Sequence, residues 1–377
     1  IHEKVVTFTM IEINQGKLTS YRIIRKSGNW DTIGNNQNLI SVIIPFFNQL
    51  KLLNETIKSL HSQTYQNFEL VLVDDSSEKF QFKSLKMVLS KFTQPWILVR
   101  LNKNSGPGIA RKIGLHFIRG CFIQYLDSDD IIHNNKFQAQ VDFLIQNQDV
   151  SMTYGKTVTF VRTIMEKQQI LGKSDKKFTS ILPHITQKMI WTTSSCFWRS
   201  KSANQPDFWK SLRAGEDFVY EFLMGVKNIK VGKTPSNFPL VYKRYHSKSL
   251  SYNIYNDLHY QAEILKGYDI LLDEVSSLGD NQDLITLLAE LYREKIWFYL
   301  IHKTHYQIIH CIEKIKGIDE NGIPIPVKIA LNINKIFTSF LGFHLLRKWL
   351  WLRKIVNQII NSNNRVNVFS HYNSLIK

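Results

Sequence analysis

The residues with the clearest chemical potential are the acidic side chains of LDSDD, at Leu126–Asp130. The carboxylates of Asp127, Asp129 and Asp130 repel one another unless a cation neutralises them. Mg²⁺ is typically bound by one or two carboxylates together with substrate phosphates, so the motif fits a divalent metal beside a phosphate-bearing substrate. It equally fits an acidic loop that caps the following helix, and the motif alone leaves both interpretations open.

A second acidic pair, Asp74-Asp75, follows the apolar run FELVLV at Phe68–Val73. These two residues could form a turn that is held by Asx hydrogen bonds. Because a carboxylate only accepts hydrogen bonds, they could also bind a nucleobase N–H group or ribose hydroxyls. Acidic residues at the ends of two neighbouring strands favour one shared site.

Two other segments carry candidate groups. In AGEDF, at Ala214–Phe218, the pair Glu216-Asp217 either complements a helix dipole or supplies a general base for a hydroxyl nucleophile. The segment NSGPGIARKIG, at Asn104–Gly114, has neither GxGxxG nor P-loop spacing. In its first helical turns, Arg111 either faces a diphosphate or lies on an exposed helix face. The histidines match no HExxH spacing, so we expect no zinc site.

Alternating strands and helices must position these residues. Segments with helical spacing separate four apolar, β-branched runs that predict buried strands: Leu39–Pro45, Phe68–Val73, Trp96–Leu101 and Cys121–Leu126. This order predicts an α/β fold with a mostly parallel sheet. In such sheets ligands lie beyond the carboxyl ends of the strands, where the acidic clusters fall. Beyond Tyr252 the pattern becomes helical.

Composition excludes several classes of protein. The chain has 377 residues, 44% of them hydrophobic, so it is not disordered throughout. Its three cysteines lack a CxxC spacing and do not form a disulfide scaffold. No apolar run reaches the roughly 18–20 residues of a membrane-spanning helix. The net charge of +17 leaves nucleic acid, an anionic membrane surface or a phosphate-rich substrate as partners, or a merely solvated basic surface.

Taken together, these motifs resemble the family 2 inverting glycosyltransferases. The resemblance runs in order through four segments and an R-x-H…S-x-S motif that ends at Ser251; the segments are Ser41–Ser77, Ser105–Asp130, Thr192–Arg199 and Gly215–Asp217. It implies the GT-A fold, a Rossmann-like, mostly parallel sheet with flanking helices. We expect a lead-in at residues 1–38, the catalytic domain at 39–252 and an α-helical C-terminal extension at 253–377.

The resemblance also implies roles for individual residues. Those at the nucleotide base and ribose are Pro45, Phe47, Asp74 and Asp75, and those beside the rest of the donor are Arg111, Asp127 and Asp129. A Mn²⁺ or Mg²⁺ ion on the donor diphosphate is implied to be held by Asp129 or Asp130 with His246. Asp217 is implied as the catalytic base, with Glu216 beside it near the acceptor.

Two residues depart from the family pattern: Phe47 stands where Tyr is common, and Lys112 where Asn is common. There is also no QxxRW motif, which marks the processive synthases of the family, so we expect a single-addition enzyme. The implied reaction transfers a sugar from a nucleotide-diphospho-sugar, with a UDP-sugar favoured, to a glycan or lipid-linked acceptor in bacterial surface polysaccharide synthesis. The alternatives are a nucleotidyltransferase of similar fold and a basic nucleic-acid-binding protein, although no nucleic-acid motif is present.

The C-terminal tail has its own pattern. From Asn321 to Lys377 there are eight basic residues and no Asp or Glu. Apolar residues fall on one helix face at intervals of 3 and 4, as follows: Leu341, Leu345, Trp349, Leu352, Val356 and Ile360. The tail is either an amphipathic helix at an anionic membrane surface or a helix packed on the protein. We favour the membrane and therefore expect a cytoplasmic enzyme, peripheral on the inner face of the cytoplasmic membrane.

Overall fold

The computed structural model describes residues 9–14, 17–27, 29–31, 38–165, 168–187, 189–246, 257–279, 281–302 and 304–318, with residues 327, 345, 346 and 348. By compactness the chain forms two units, residues 1–271 and 272–377. The functional boundaries that the sequence predicts after residues 38 and 252 stay predictions. All the candidate site residues belong to the first unit.

The first unit is built on a nine-stranded sheet with the order β1-β2-β5-β4-β3-β6-β11-β8-β12. Its strands are β1 (Thr9–Asn14), β2 (Lys17–Lys26), β3 (Ile40–Phe46), β4 (Phe68–Asp74), β5 (Trp96–Leu101), β6 (Phe122–Tyr125), β8 (Met152–Tyr154), β11 (Phe197–Arg199) and β12 (Val231–Lys233). In the centre, β3 pairs in parallel with β4 and β6, and β4 with β5. All seven residues of both β3 and β4 are buried, as their continuous apolar runs predict.

Helices cover both faces of this sheet. The helices that begin in this unit are α1 (Leu50–His61), α2 (Lys79–Leu89), α3 (Pro107–Leu115), α4 (Lys136–Gln146), α5 (His184–Gln187), α6 (Ser200–Ala203), α7 (Glu216–Val226) and α8 (Leu258–Ser277), with a 3₁₀ turn at Pro206–Phe208. Apolar residues of α1, α2 and α4 form the core on one face, and those of α3 and α7 form the core on the other. The α/β class that the sequence predicts is therefore confirmed.

A second sheet follows the LDSDD segment. It has the order β10-β9-β13-β7 and consists of β7 (Ile131–Ile132), β9 (Thr157–Phe160), β10 (Gln169–Ile170) and β13 (Val241–Arg244). Strand β7 begins directly after Asp130 and pairs with β13. This sheet therefore brings the R-x-H segment, which begins at Arg244, to the acidic loop, although Arg244 and Asp130 are 114 residues apart in sequence.

The N-terminal segment contributes more than the lead-in expected from the sequence. Its strands β1 and β2 form a hairpin that extends the large sheet, with β2 antiparallel to β5. The ring of Tyr21 is buried in the core and lies 5.9 Å from that of Phe117, edge to face. Strand β2 was missed because, among its side chains whose burial is described, only that of Tyr21 is buried, which leaves no continuous apolar run.

The second unit contains the end of α8 and two further helices, α9 (Gln282–Ile301) and α10 (His305–Ile318). Among the described residues, no helix combines the length and the apolar character needed to cross a bilayer. The predicted amphipathic tail lies outside the described part of the chain, apart from the four isolated residues named above.

Candidate functional site

The carboxyl ends of β3, β4 and β6 meet at one edge of the large sheet, beside a cleft of about 900 Å³. Sequence-predicted residues that line the cleft are Pro45, Phe47, Asp75, Arg111, Asp127, Asp129, Glu216 and Asp217. Parallel strands end together at one sheet edge, which explains why segments distant in sequence share this cleft. The structure therefore brings together eight of the eleven predicted site residues; Asp74, Asp130 and His246 do not line the cleft.

The two acidic residues after β4 occupy different environments. Asp74 is fully buried and forms an ion pair with Arg100, with 2.6 Å between Arg100 Nη1 and Asp74 Oδ2. Asp75 lies on the cleft wall and accepts hydrogen bonds from the backbone N–H groups of Ser105 at 2.6 Å and Gly106 at 2.8 Å. Burial raises the pKa of Asp75 to about 7. Of the predicted pair, only Asp75 is placed to contact a ligand in the cleft.

The loop before α3 requires glycine at position 106, whose backbone N–H is bound by Asp75. Gly106 has a φ of +91°, and an added Cβ would lie 2.9 Å from the carbonyl oxygen of Leu212. An L side chain is therefore excluded both by backbone conformation and by space. This geometry places the N-terminal end of α3, and with it Arg111, at the cleft.

The three acidic residues of the LDSDD segment also occupy different environments. Asp127 accepts a hydrogen bond from Arg111 Nη2 at 2.7 Å, and Asp129 Oδ2 lies 3.0 Å from His246 Nε2. Asp130 is fully buried behind the cleft wall and accepts a hydrogen bond from the backbone N–H of Arg244 at 3.3 Å. Burial raises the pKa of Asp130 to about 7. Its position is thus that of a residue that shapes the loop.

Asp129 and His246 fit the metal that the sequence predicts. No group of three or more His, Cys, Asp or Glu side chains arranged for a metal ion occurs in the described part of the chain. Mg²⁺ and Mn²⁺, however, commonly take only one or two protein ligands and complete their shell with substrate phosphates and water. A carboxylate and an imidazole 3.0 Å apart, beside a cleft wide enough for a diphosphate, fit such a site.

Lys243, from β13, also lines the cleft and has no counterpart among the residues singled out from the sequence. Burial alone would lower its pKa, but nearby carboxylates raise it well above the ordinary value; they belong to Asp130, Asp127, Asp129 and Asp217. A fixed ammonium group therefore balances the acidic wall. Its sequence signal was its place directly before the R-x-H motif, at a strand end.

Arg111 connects the two acidic segments. Its guanidinium is buried and donates from Nη2 to Asp127 at 2.7 Å and from Nη1 to Glu216 at 2.8 Å. The guanidinium carbon also lies 4.9 Å from the centre of the Trp209 ring. Burial, followed by the charge of Asp217, raises the pKa of Glu216 to about 7 and outweighs the opposing effect of Arg111. Glu216 is thus committed to Arg111 and is poorly placed to act as a base.

Asp217 is the half-buried carboxylate in the first turn of α7. It accepts hydrogen bonds from Thr193 Oγ1 at 3.3 Å and from the backbone N–H of Phe218 at 2.8 Å. Both donors are neutral, and no ion pair involving Asp217 occurs among the described residues. The helix begins after Gly215, whose φ of +77° again favours glycine.

One turn further along α7, Glu221 is buried under Asp217. It accepts a hydrogen bond from Trp191 Nε1 at 2.8 Å. Burial, followed by the charge of Asp217, raises its pKa to about 8, so Glu221 is largely neutral at pH 7. Sequence reasoning missed Glu221 and the contact of Thr193. Glu221 could have been found from its spacing of four residues from Asp217 on one helix, whereas only the tertiary structure brings Thr193 beside Asp217.

Comparison with known proteins identifies the family of one part of the chain. Residues 41–206 match the model of Glycosyl transferase family 2. An uncharacterized glycosyltransferase of Haemophilus influenzae is 40% identical over 120 residues, which are 32% of this chain and 47% of that protein. The UDP-Glc:alpha-D-GlcNAc-diphosphoundecaprenol beta-1,3-glucosyltransferase WfgD of Escherichia coli is 34% identical over 137 residues, 36% of this chain and 50% of that protein. The chain thus spans half or less of these curated relatives.

The fold has a solved counterpart. The crystal structure of S. aureus TarS in complex with UDP-GlcNAc matches with a TM-score of 0.62 at 16% identity, over 82% of this chain and 90% of that one. Such a likeness shows the fold, and it confirms the predicted GT-A architecture. Residues 41–206, from β3 to the start of the 3₁₀ turn, match the family model and form a family 2 glycosyltransferase domain.

Proposed function

We propose that this domain transfers a sugar from a nucleoside-diphosphate sugar to a hydroxyl of a glycan or lipid-linked acceptor, with inversion at the anomeric carbon. One observation carries the proposal. In the cleft, Asp217 accepts hydrogen bonds only from neutral donors, whereas its neighbour Glu216 and the nearby Asp127 are both paired with Arg111, and both oxygens of Asp75 are held by backbone N–H groups. Inverting transfer needs one free base beside a charged donor site, and this arrangement provides both.

The donor side would use the wall formed by the ends of β3, β4 and β6. Phe47 is partly exposed at the rim and offers a ring to stack on a base, while Asp75 offers a carboxylate oxygen. UDP is the favoured nucleotide because WfgD is named for UDP-Glc and the TarS structure holds UDP-GlcNAc. The name of WfgD also includes a diphosphoundecaprenol acceptor, which supports a lipid-linked acceptor here and action at a membrane surface.

The diphosphate would lie against Asp129, His246 and Lys243. Asp129 and His246 would hold a Mg²⁺ or Mn²⁺ ion, which supplies positive charge to the leaving nucleoside diphosphate when it is bound. Lys243 adds a fixed positive charge that the protein provides itself. Arg111 holds Asp127 in place from the side of the acceptor.

On the acceptor side, Asp217 would accept the proton of the attacking hydroxyl. As the new bond forms between that oxygen and the anomeric carbon, the bond from the carbon to the diphosphate oxygen breaks on the opposite face. The electron pair leaves with the diphosphate, and the proton remains on Asp217. Thr193 Oγ1, 3.3 Å from Asp217 Oδ2, orients the carboxylate for this transfer.

A donor panel tests the proposal. Wild-type protein and Asp217→Asn are incubated with UDP-, GDP- and dTDP-sugars and Mn²⁺, with a mixture of lipid-linked and free glycan acceptors, and release of nucleoside diphosphate is measured. We expect release from a UDP-sugar by the wild type and almost none by the variant. No release from any donor, or equal release by the variant, contradicts the proposal.

A further inference from the structure

Helix α2 presents an unusual outer face. Phe80 and Met87 are 74% and 69% exposed, although most large apolar side chains of this unit are buried. They are seven residues apart, or about two helical turns, so they lie on one side of the helix. On the opposite side, Leu85 and Leu89 are buried in the core against the large sheet. The exposed pair is therefore not needed to hold α2 in place.

Lysines surround these two apolar residues. Lys83 lies between Phe80 and Met87 on the same face, and the flanking lysines are Lys79, Lys86 and Lys91. Residues 79–95 contain no Asp or Glu. None of the four lysines forms an ion pair with the described residues, and Lys86 Nζ lies 5.1 Å from the centre of the Phe82 ring. Within this stretch, the charge of the face is uncompensated.

The N-terminal end of α2 lies beside the cleft. Glu78 and Gln81, which flank Phe80 in sequence, line the cleft. Because α2 starts where β4 ends, its first turn lies at the same sheet edge as the donor wall. Met87 is about 10 Å further from that edge along the helix axis.

We propose that this surface, which we call the α2 face (Phe80, Lys83 and Met87 with Lys79, Lys86 and Lys91), docks on a membrane that contains anionic lipids. Exposed Phe and Met side chains insert at the boundary between headgroups and acyl chains, and the lysines contact anionic headgroups. Docking does not depend on the proposed activity. Where the acceptor is lipid-linked, it would bring the cleft edge to the surface from which that acceptor arrives.

The test measures partitioning of the full-length protein onto vesicles. Sedimentation is compared for phosphatidylcholine vesicles and for vesicles that contain 30% phosphatidylglycerol. One variant combines Phe80→Ser and Met87→Ser, and a second combines Lys79→Gln, Lys83→Gln and Lys91→Gln. Matched controls on other exposed surfaces are Ile145→Ser and Lys201→Gln. Release of nucleoside diphosphate with a soluble acceptor is measured in parallel and reports on the transferase independently.

We expect wild-type protein to prefer the anionic vesicles. The lysine variant should lose about fivefold in partition coefficient per lysine, and the Phe80/Met87 variant about tenfold or more, with the controls unchanged. Equal partitioning of wild type and both α2 variants overturns the proposal. Any vesicle binding would then be attributed to the C-terminal tail. The proposal is also overturned by a lysine variant that loses binding to DNA but not to vesicles, or by a Ser variant that changes only the oligomeric state.

Discussion

The two walls of the cleft treat their carboxylates differently. On the proposed donor wall, at the ends of β3, β4 and β6, Asp127 is paired with Arg111, and Lys243 adds positive charge near Asp127 and Asp129. On the proposed acceptor wall, at the start of α7, Glu216 is paired with Arg111, but Asp217 has only neutral hydrogen-bond donors. The comparison teaches that the number of acidic residues in a site says little about their roles. An ion pair with Arg111 separates Asp127 and Glu216, which are held in place, from Asp217, which we propose accepts a proton.

The walls are also coupled, because one arginine serves both. Arg111 holds Asp127 on the donor wall and Glu216 on the acceptor wall at 2.7 and 2.8 Å. Arginine suits this position since its planar guanidinium presents several N–H donors in fixed directions. We infer that the spacing of the two walls depends on this residue.

The largest effect should come from the acceptor wall. Replacing Asp217 by Asn removes a general base, which we expect to lower kcat about 10²- to 10⁴-fold with little change in donor affinity. Steady-state kinetics and calorimetric titration with UDP measure the two effects. Glu216→Gln is the matched control, because it changes the neighbouring acid, and it should cost much less in kcat. Equal losses in the two variants would remove the distinction between Glu216 and Asp217.

The next largest effect concerns the shared arginine. In Arg111→Ala, two acidic groups lose their buried partner, and we expect the free energy of unfolding to fall by about 3–5 kcal/mol. Urea unfolding followed by tryptophan fluorescence measures this change. Arg111→Lys should recover part of the loss, since an ammonium group can reach one carboxylate but cannot bind both as the two terminal nitrogens of the guanidinium do. A loss below 1 kcal/mol in the Ala variant would show that the walls do not depend on Arg111.

The donor wall should respond through metal affinity. Asp129→Asn should weaken Mn²⁺-dependent binding of UDP by about 10- to 100-fold. Asp130→Asn is the comparison, because Asp130 is buried behind the wall and should affect metal affinity less than Asp129 does. Calorimetry at several Mn²⁺ concentrations separates the two variants. A larger effect at Asp130 would reverse the roles that we infer from their positions.

The smallest effect, counted per pH unit, is a pH dependence beneath Asp217. The pKa of Glu221 is raised to about 8 by burial, so its contribution to stability is present at low pH and is lost as pH rises toward 8. The wild type should lose about 1.4 kcal/mol of unfolding free energy per pH unit through this group between about pH 5 and 8. Glu221→Gln keeps the acceptor for Trp191 Nε1 and does not titrate, so its profile should be flatter. Parallel profiles in urea unfolding would show that Glu221 stays charged.

Much of the fold followed from local pattern. The runs at β3 to β6 are continuous because both faces of the central strands are covered, so their order predicted an α/β sheet and its ligand-binding edge. The N-terminal hairpin was missed, since only Tyr21 is buried among the described side chains of β2 and the apolar pattern is therefore weak. Pairing with β5, far along the chain, decides its structure.

By itself, the sequence determined which short segments carry the chemistry: the acidic pairs, the LDSDD segment and R-x-H. The tertiary structure decided which member of each segment faces the cleft. Asp75, Asp127, Asp129, Glu216 and Asp217 line it, whereas Asp74 and Asp130 are buried behind it. Of the pair at the start of α7, Glu216 is held by Arg111. The physical reason is that adjacent residues point in different directions and that their partners come from elsewhere in the chain. Glu216, for example, is 105 residues from Arg111, and no local pattern encodes that ion pair.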